Sequence, residues 1–239
     1  MKSDDLLKRD FHSDVPLEKC ITDITEIPAS NGKLYVSAIF DCFDLSVLGL
    51  AMETNMKADL CIQTLENALA AYPTLEGAVI HSDRGAQYTS EAYRQAIQKY
   101  HIHQSMNSAG GRCHDNARCE SMWARMKTEL LYDRYDTKQM TVEELKVLIW
   151  RYFLSYWNNR RICSANGGLP PNAVSPDAKS TDQTLGGGIA VGSSDGEAVK
   201  GGTLVVSMLH PHALLIRKLL NHVREPHYVQ CSRYPVCLG

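Results

Sequence analysis

The chain has no apolar run long enough for a membrane span, which takes about 18 residues or more. Its first ten residues, Met1–Asp10, are charged and lack the apolar stretch of a secretory signal. It also lacks excess positive charge: 25 Lys and Arg stand against 27 Asp and Glu, a formal net charge of −2. Binding to a polyanion would therefore have to rest on local clusters rather than on the total. None of the 8 cysteines forms a C-x-x-C pair, which argues against a zinc ribbon or a dithiol redox motif. Several sit in apolar runs, where cysteine behaves as a small hydrophobe, and they read as reduced thiols of a cytoplasmic protein. No internal repeat is visible. What is present is 239 residues, 44% of them hydrophobic, enough for one good-sized domain with extras or two small ones.

Hydrophobic periodicity divides the chain. Residues 1–18 are polar, contain Pro16 and read as a lead-in segment. Residues 20–27 are short and β-branched and suit a strand. Asn31-Gly32 is a hairpin signal, and 33–41 and 45–52 read as two further strands, with Asp41–Asp44 turning between them. From Lys57 to Tyr72 the period becomes helical, with Cys61, Leu65, Ala68, Leu69 and Tyr72 on one stripe and Pro73 as the stop. Residues 77–82 form a buried strand. Thr89 is placed to cap a helix whose inner face is Tyr93, Ala96, Ile97 and Tyr100. Residues 102–106 suit one more strand, 108–112 a flexible loop, and 115–131 a helix. Thr141 to Glu144 spells a capping box that opens a last helix, with Leu145, Leu148, Ile149, Tyr152 and Tyr156 on one face. Three strands, helix, strand, helix, strand, helix, helix is a mixed α/β architecture rather than a βαβ repeat. Residues 177–202 are a Gly/Ser-rich linker and 203–239 a tail of no assignable fold.

Three carboxylates stand out by context. Asp23 sits mid-strand in TDIT, where aspartate is depleted and needs a partner or a metal. Asp83 follows a buried strand in HSDRGAQYTS. Glu120 lies one turn into a helix in DNARCESMWARMKTE. Residues 84–119 separate the last two. Taken singly, each is as readily a solvated surface acid.

Together with QSMNSAGGRCHDNARCESMW and with YWNNRRICSANGG followed by two prolines, these segments resemble the bacterial insertion-sequence transposases that carry a retroviral-integrase catalytic core, the DDE type. The resemblance spans residues 6–176, so 19–176 is expected to be the integrase-type core. It implies a ribonuclease H-like fold, a mixed five-stranded sheet flanked by helices, which agrees with the strand order read above. It also implies metal-dependent cleavage and joining of DNA strands, with Asp23, Asp83 and Glu120 as catalytic residues. They would hold two Mg²⁺ or Mn²⁺ ions, Asp23 bridging both, Asp83 holding one and Glu120 the other. The chemistry supports that set. Mg²⁺ prefers oxygen ligands, and two ions about 4 Å apart can activate the attacking oxygen, stabilise the leaving one and neutralise phosphate. By the same resemblance the partners are DNA, both element ends and target, and further copies of the chain in a homo-multimer. The setting is the bacterial cytoplasm and nucleoid, with no membrane.

The DNA-contact candidates are Lys127, Asn116, Arg84, Gln87, Arg160 and Arg161. Lys127 is two helical turns from Glu120, on the same face, and a solvated lysine is the plain alternative. Asn116 orients Glu120, touches DNA or caps the helix. Arg84 and Gln87 reach phosphate or metal-bound water, or Arg84 forms a surface ion pair. Asn158, Arg160 and Arg161 end a helix, where DNA contact and capping compete. Trp123 and Trp150 read as core rather than base-stacking platforms. His81 supports Asp83 or is a packed histidine. His222, His227, Cys231 and Cys237 match no zinc-finger spacing.

The chain departs from the family pattern in four ways. Cys20 stands where relatives usually carry Trp, and Cys163 where they usually carry His. The loop 109–112 is one residue longer, and the upstream DNA-recognition region is lacking. A truncated or impaired copy is therefore expected. The competing readings are a ribonuclease H-like nuclease that cuts without joining, and an inactive DNA-binding remnant.

Overall fold

Strand β1 (Lys19–Ala29) lies mid-sheet and is paired on both sides. It runs antiparallel to β2 (Gly32–Asp41) and parallel to β4 (Val79–Ser82). The outer strands are β3 (Val47–Glu53), antiparallel to β2, and β5 (His103–Met106), parallel to β4. The order is β3-β2-β1-β4-β5, the mixed five-stranded sheet expected. In this computed structural model the described residues are 4–107, 117–132 and 134–174. Arg112, Asn116, the loop 108–112, the linker 177–202, the tail 203–239 and the four residues weighed as a zinc set lie outside them.

Neighbouring strand residues point to opposite faces of a sheet. Here that alternation sends Ile39 to one core and Phe40 to another. Ile39, Cys20, Leu48 and Ile80 pack with α1 (Ala58–Ala71) and α2 (Glu91–Lys99) through Leu65, Ala68, Tyr93 and Ile97. Phe40 instead meets Trp123 and Phe153 edge-on, with ring centroids 5.4 and 6.0 Å away. Trp123 belongs to α3 (Ala117–Met126), and Phe153 to the continuation of α4 (Val142–Trp150). Edge-to-face pairs of this kind add about 0.5–1.5 kcal/mol each beyond the area they bury.

Local chemistry sets the ends of these elements. The hairpin turns at Ser30 and Asn31, and Gly32 follows at φ 143°, a backbone region that only glycine enters freely. The Asn31 Oδ1 accepts the Val142 N–H at 2.9 Å, so the hairpin tip also anchors α4. Asp41 and Asp44 are fully buried and employed in the β2–β3 turn. Asp41 accepts the N–H groups of Leu17 and Phe43, and Asp44 accepts that of Ser46. The capping box at Thr141 and Glu144 is present. The cap of α2 falls on Ser90 rather than Thr89: the Ser90 hydroxyl accepts the Tyr93 N–H at 3.1 Å from an extended backbone, while the Thr89 hydroxyl donates to the Gly85 carbonyl.

Two features of the chain's course leave no periodic trace in the sequence. Residues 4–18, read as a lead-in, pack against the domain. Leu7 and Leu17 are buried, the Leu6 N–H donates to the Ser105 hydroxyl, and the Met106 N–H donates to the Asp4 carbonyl. In addition, α3 and α4 both run on as wider π-helical turns, Lys127–Leu131 and Arg151–Trp157. Such turns shift the face that a straight helix would present. Among the described residues no helix is long and apolar enough to cross a membrane.

Helix α1 lies tight against β3 at Gly49. A β-carbon there would stand 2.4 Å from the Thr64 carbonyl oxygen and 2.8 Å from the Ala68 Cβ. Gly49→Ala is therefore expected to cost about 1–3 kcal/mol by overpacking. Thermal unfolding followed by circular dichroism would show a fall of several degrees. An unchanged midpoint would mean that α1 does not sit this close.

Candidate active site

The site is built on the parallel pairing of β1 and β4. Ile21 lies opposite His81. Two residues further along come Asp23, inside β1, which turns to the face covered by α3, and Asp83, just past the end of β4. Both side chains are half-buried. The Oδ1 of Asp83 accepts the Gly85 N–H at 2.8 Å, a tight turn that fixes the carboxylate as the chain leaves the sheet. A β-carbon on Gly85 would stand 2.9 Å from that oxygen, so a larger residue there would push on the carboxylate.

Glu120 is exposed in the first turn of α3. One turn on, the indole N–H of Trp123 donates to the Asp23 Oδ2 at 3.1 Å. That bond holds the Glu120 helix across the strand that carries Asp23. The buried Cys119 thiol senses the result. Burial pushes it well above its ordinary pKa, and the negative charges of Asp23, Asp83 and Glu120 act in the same direction. All three carboxylates thus act on one thiol. They do not form a finished coordination shell: among the described residues no three His, Cys, Asp or Glu side chains stand close enough to hold a metal ion. As a donor set, carboxylate oxygens on neighbouring strands and a facing helix suit a hard cation such as Mg²⁺ or Mn²⁺.

The remaining sequence candidates scatter. Arg84 donates from Nε to the Asn107 carbonyl at 2.5 Å, beside Asp83. The Gln87 amide donates to the Met56 carbonyl at 3.0 Å, which ties the turn after Asp83 to the entrance of α1. Lys127 follows Glu120 along the helix but lines a cleft with Glu26, Ile27, Tyr132, Tyr135 and Lys138, beyond the far end of the carboxylate pair. Arg160 is exposed.

Asn158 and Arg161 are structural residues here. The Asn158 amide is buried and clasps both backbone groups of Val47, at 2.9 Å each. Arg161 reaches Glu129 through Nε and Nη2, at 2.5–3.0 Å, and lies over the Trp157 ring at 4.4 Å. The Tyr152 hydroxyl donates to the same glutamate at 2.8 Å. An arginine so engaged is a corner brace.

His81 is 2% exposed and packed. Its ring nitrogens meet the Ser105 hydroxyl and the Asn107 Oδ1 at 2.8 Å each, and Phe11 lies edge-on at 5.7 Å. Trp150 is half-buried. Sequence reasoning placed Trp123 in the core, where it is, but missed its bond to Asp23. The available signal was its position three residues after Glu120, together with the rule that a buried indole N–H seeks an acceptor.

Sheet order, flanking helices and the position of the acidic residues define an integrase-type core of ribonuclease H-like fold. The integrase core domain family is matched twice, over residues 14–111 and 100–171. A probable transposase for insertion sequence element IS1353 of Shigella flexneri is 40% identical over 167 residues, covering 70% of this chain and 32% of that protein. A transposase-like protein of Haemophilus influenzae is 36% identical over 171 residues, covering 71% of this chain and 76% of that protein. Among solved structures, the simian T-cell lymphotropic virus intasome in complex with the PP2A regulatory subunit B56 gamma aligns with a TM-score of 0.55. It does so at 16% identity, over 78% of this chain and 62% of that one, a likeness of fold. The chain belongs to the insertion-sequence transposases that carry an integrase core domain. It spans about a third of the Shigella relative's length.

The Arg161–Glu129 brace is partly buried, with side-chain exposures of 14% and 26%. Charge-assisted bonds at such sites are worth about 1.5–3 kcal/mol. Arg161→Ala should lower the unfolding midpoint by several degrees, while Arg160→Ala leaves it within about one degree. Equal midpoints for the two variants would return Arg161 to the surface candidates.

Proposed function

We propose that this core is a metal-dependent polynucleotidyl transferase that cleaves DNA at the ends of an insertion element and joins the freed ends to target DNA. The observation that supports the reading is the pairing of Ile21 with His81, two residues ahead of Asp23 and Asp83, together with the bond from Trp123 of the Glu120 helix to Asp23. In this reading Asp23, Asp83 and Glu120 hold two Mg²⁺ or Mn²⁺ ions. When bound, such ions neutralise phosphate charge and activate the attacking oxygen. Asp23 and Asp83 fix the cations from the sheet. Glu120 closes the site from α3.

Arg84 and Gln87 flank the turn after Asp83 and suit a DNA backbone passing the carboxylates. Lys127, from its cleft against the last residues of β1, and Arg160 would meet phosphates further out. Asn116 belongs to the same proposal through its place just ahead of α3. Arg161 is left out, because Glu129 holds it. DNA, both element end and target, is the partner in this reading. The chain works as a homo-multimer on paired ends, in the bacterial cytoplasm at the nucleoid. The boundaries 19–176 for the core and 177–202 for a linker go with the same proposal.

A nicking and joining assay on DNA carrying the element ends tests it. Asp23→Asn, Asp83→Asn and Glu120→Gln should each cut Mn²⁺-dependent nicking by at least about a hundredfold, with unfolding midpoints close to the parent's. Wild-type nicking by any of the three removes that residue from the site. Nicked but unjoined products would point to a nuclease without strand transfer.

A further inference from the structure

We infer that Trp123 is a positioning residue for the metal-binding carboxylates, aiming Asp23 through its indole N–H and setting the distance of the Glu120 helix from β1. The inference rests on the function proposed above. Trp123 is 4% exposed, and its Nε1 donates to the Asp23 Oδ2 at 3.1 Å across 100 residues of sequence. Its ring is held from two sides, edge-on to Phe40 at 5.4 Å and to Phe153 at 5.8 Å. Phe40 lies on β2, opposite Ile21 of β1. The indole is thus fixed against the same sheet that carries its acceptor and has little freedom to turn.

Three consequences follow from that placement. A carboxylate in a half-buried strand position loses hydration, and an N–H donor replaces part of what was lost. The bond removes rotational freedom from the Asp23 carboxylate before any cation arrives, so less ordering is left to do on binding. Trp123 and Glu120 are one helical turn apart on α3, so the same bond sets how far Glu120 stands from Asp23. Donors that orient ligating groups typically change metal affinity by about 10–100-fold when removed. Ring packing alone has no such effect, because it does not act on the carboxylate oxygen.

Trp123→Phe keeps an aromatic ring between Phe40 and Phe153 and deletes the donor. With the full chain and Mn²⁺ as the probe, the metal concentration giving half-maximal thermal stabilisation should rise by about tenfold. Nicking should fall at low Mn²⁺ and recover towards the parent's rate at saturating Mn²⁺. A second measurement needs no substitution at the site. Of the three indole N–H signals in a ¹⁵N spectrum, the one absent from Trp123→Phe should move on titration with Mg²⁺, and should not move in Asp83→Asn. The inference is overturned if the parent binds Mn²⁺ in an Asp83-dependent way while that indole signal stays still and the Trp123→Phe midpoint is unchanged. It is equally overturned if Trp123→Phe loses activity that no Mn²⁺ concentration restores, since that is the mark of a packing role. If the parent shows no Asp83-dependent metal effect at all, the proposed function fails and takes this inference with it.

Discussion

Everything at the candidate site depends on the parallel ladder between β1 and β4. Parallel neighbours cannot be joined by a tight turn, and here residues 30–78, with β2, β3 and α1, fill the crossover. That long excursion brings two aspartates from distant parts of the sequence into line. Because side chains alternate with period two, a slip of one residue in the ladder would turn Asp83 to the opposite face from Asp23. The register is held by what each face must bury. Cys20 and Ile80 belong to the core under α1 and α2, and Ile21 and His81 face the other way. Placing the acids and filling the two cores are therefore one constraint.

Much of this was legible in the sequence, because strand and helix periods report burial directly. The β-branched runs of β1 and β2, the Cys61–Leu65–Ala68 stripe of α1 and the Thr141–Glu144 box fall where their patterns put them. The mid-strand aspartate was conspicuous because its residue type contradicts its surroundings. Less legible was anything that depends on a partner far along the chain. Asn158 reads as a helix end until Val47 is found against it, 111 residues away. Arg161 reads as a helix-end residue for DNA contact or capping, and its bond to Glu129, 32 residues away, leaves no mark in the sequence. The packing of residues 4–18 escaped notice because it uses isolated leucines and backbone bonds, which leave no periodic trace. Thr89 and Ser90 are adjacent hydroxyls of similar capping strength. Backbone geometry, which composition does not report, selects between them.

The aromatic layer on the α3 side has two tasks in one set of contacts. Phe40, Trp123, Phe153 and Tyr152 fill the space under the helices, which any large apolar side chains could do. Two of them also carry polar tips, and each tip is taken by an acid: Trp123 by Asp23, and Tyr152 by Glu129. Packing and polar placement are thereby coupled, since moving a ring displaces a carboxylate.

The Asn158 clasp has a further meaning for the molecule's behaviour in a crowded solution. β3 is the outermost strand of its side of the sheet, and such a border offers unsatisfied amide and carbonyl groups to any extended peptide that drifts by. At Val47 those two groups are already answered by a side-chain amide imitating a neighbouring strand. The border is closed at its first residue by a single asparagine, so a stray strand has no foothold there from which to zip along β3.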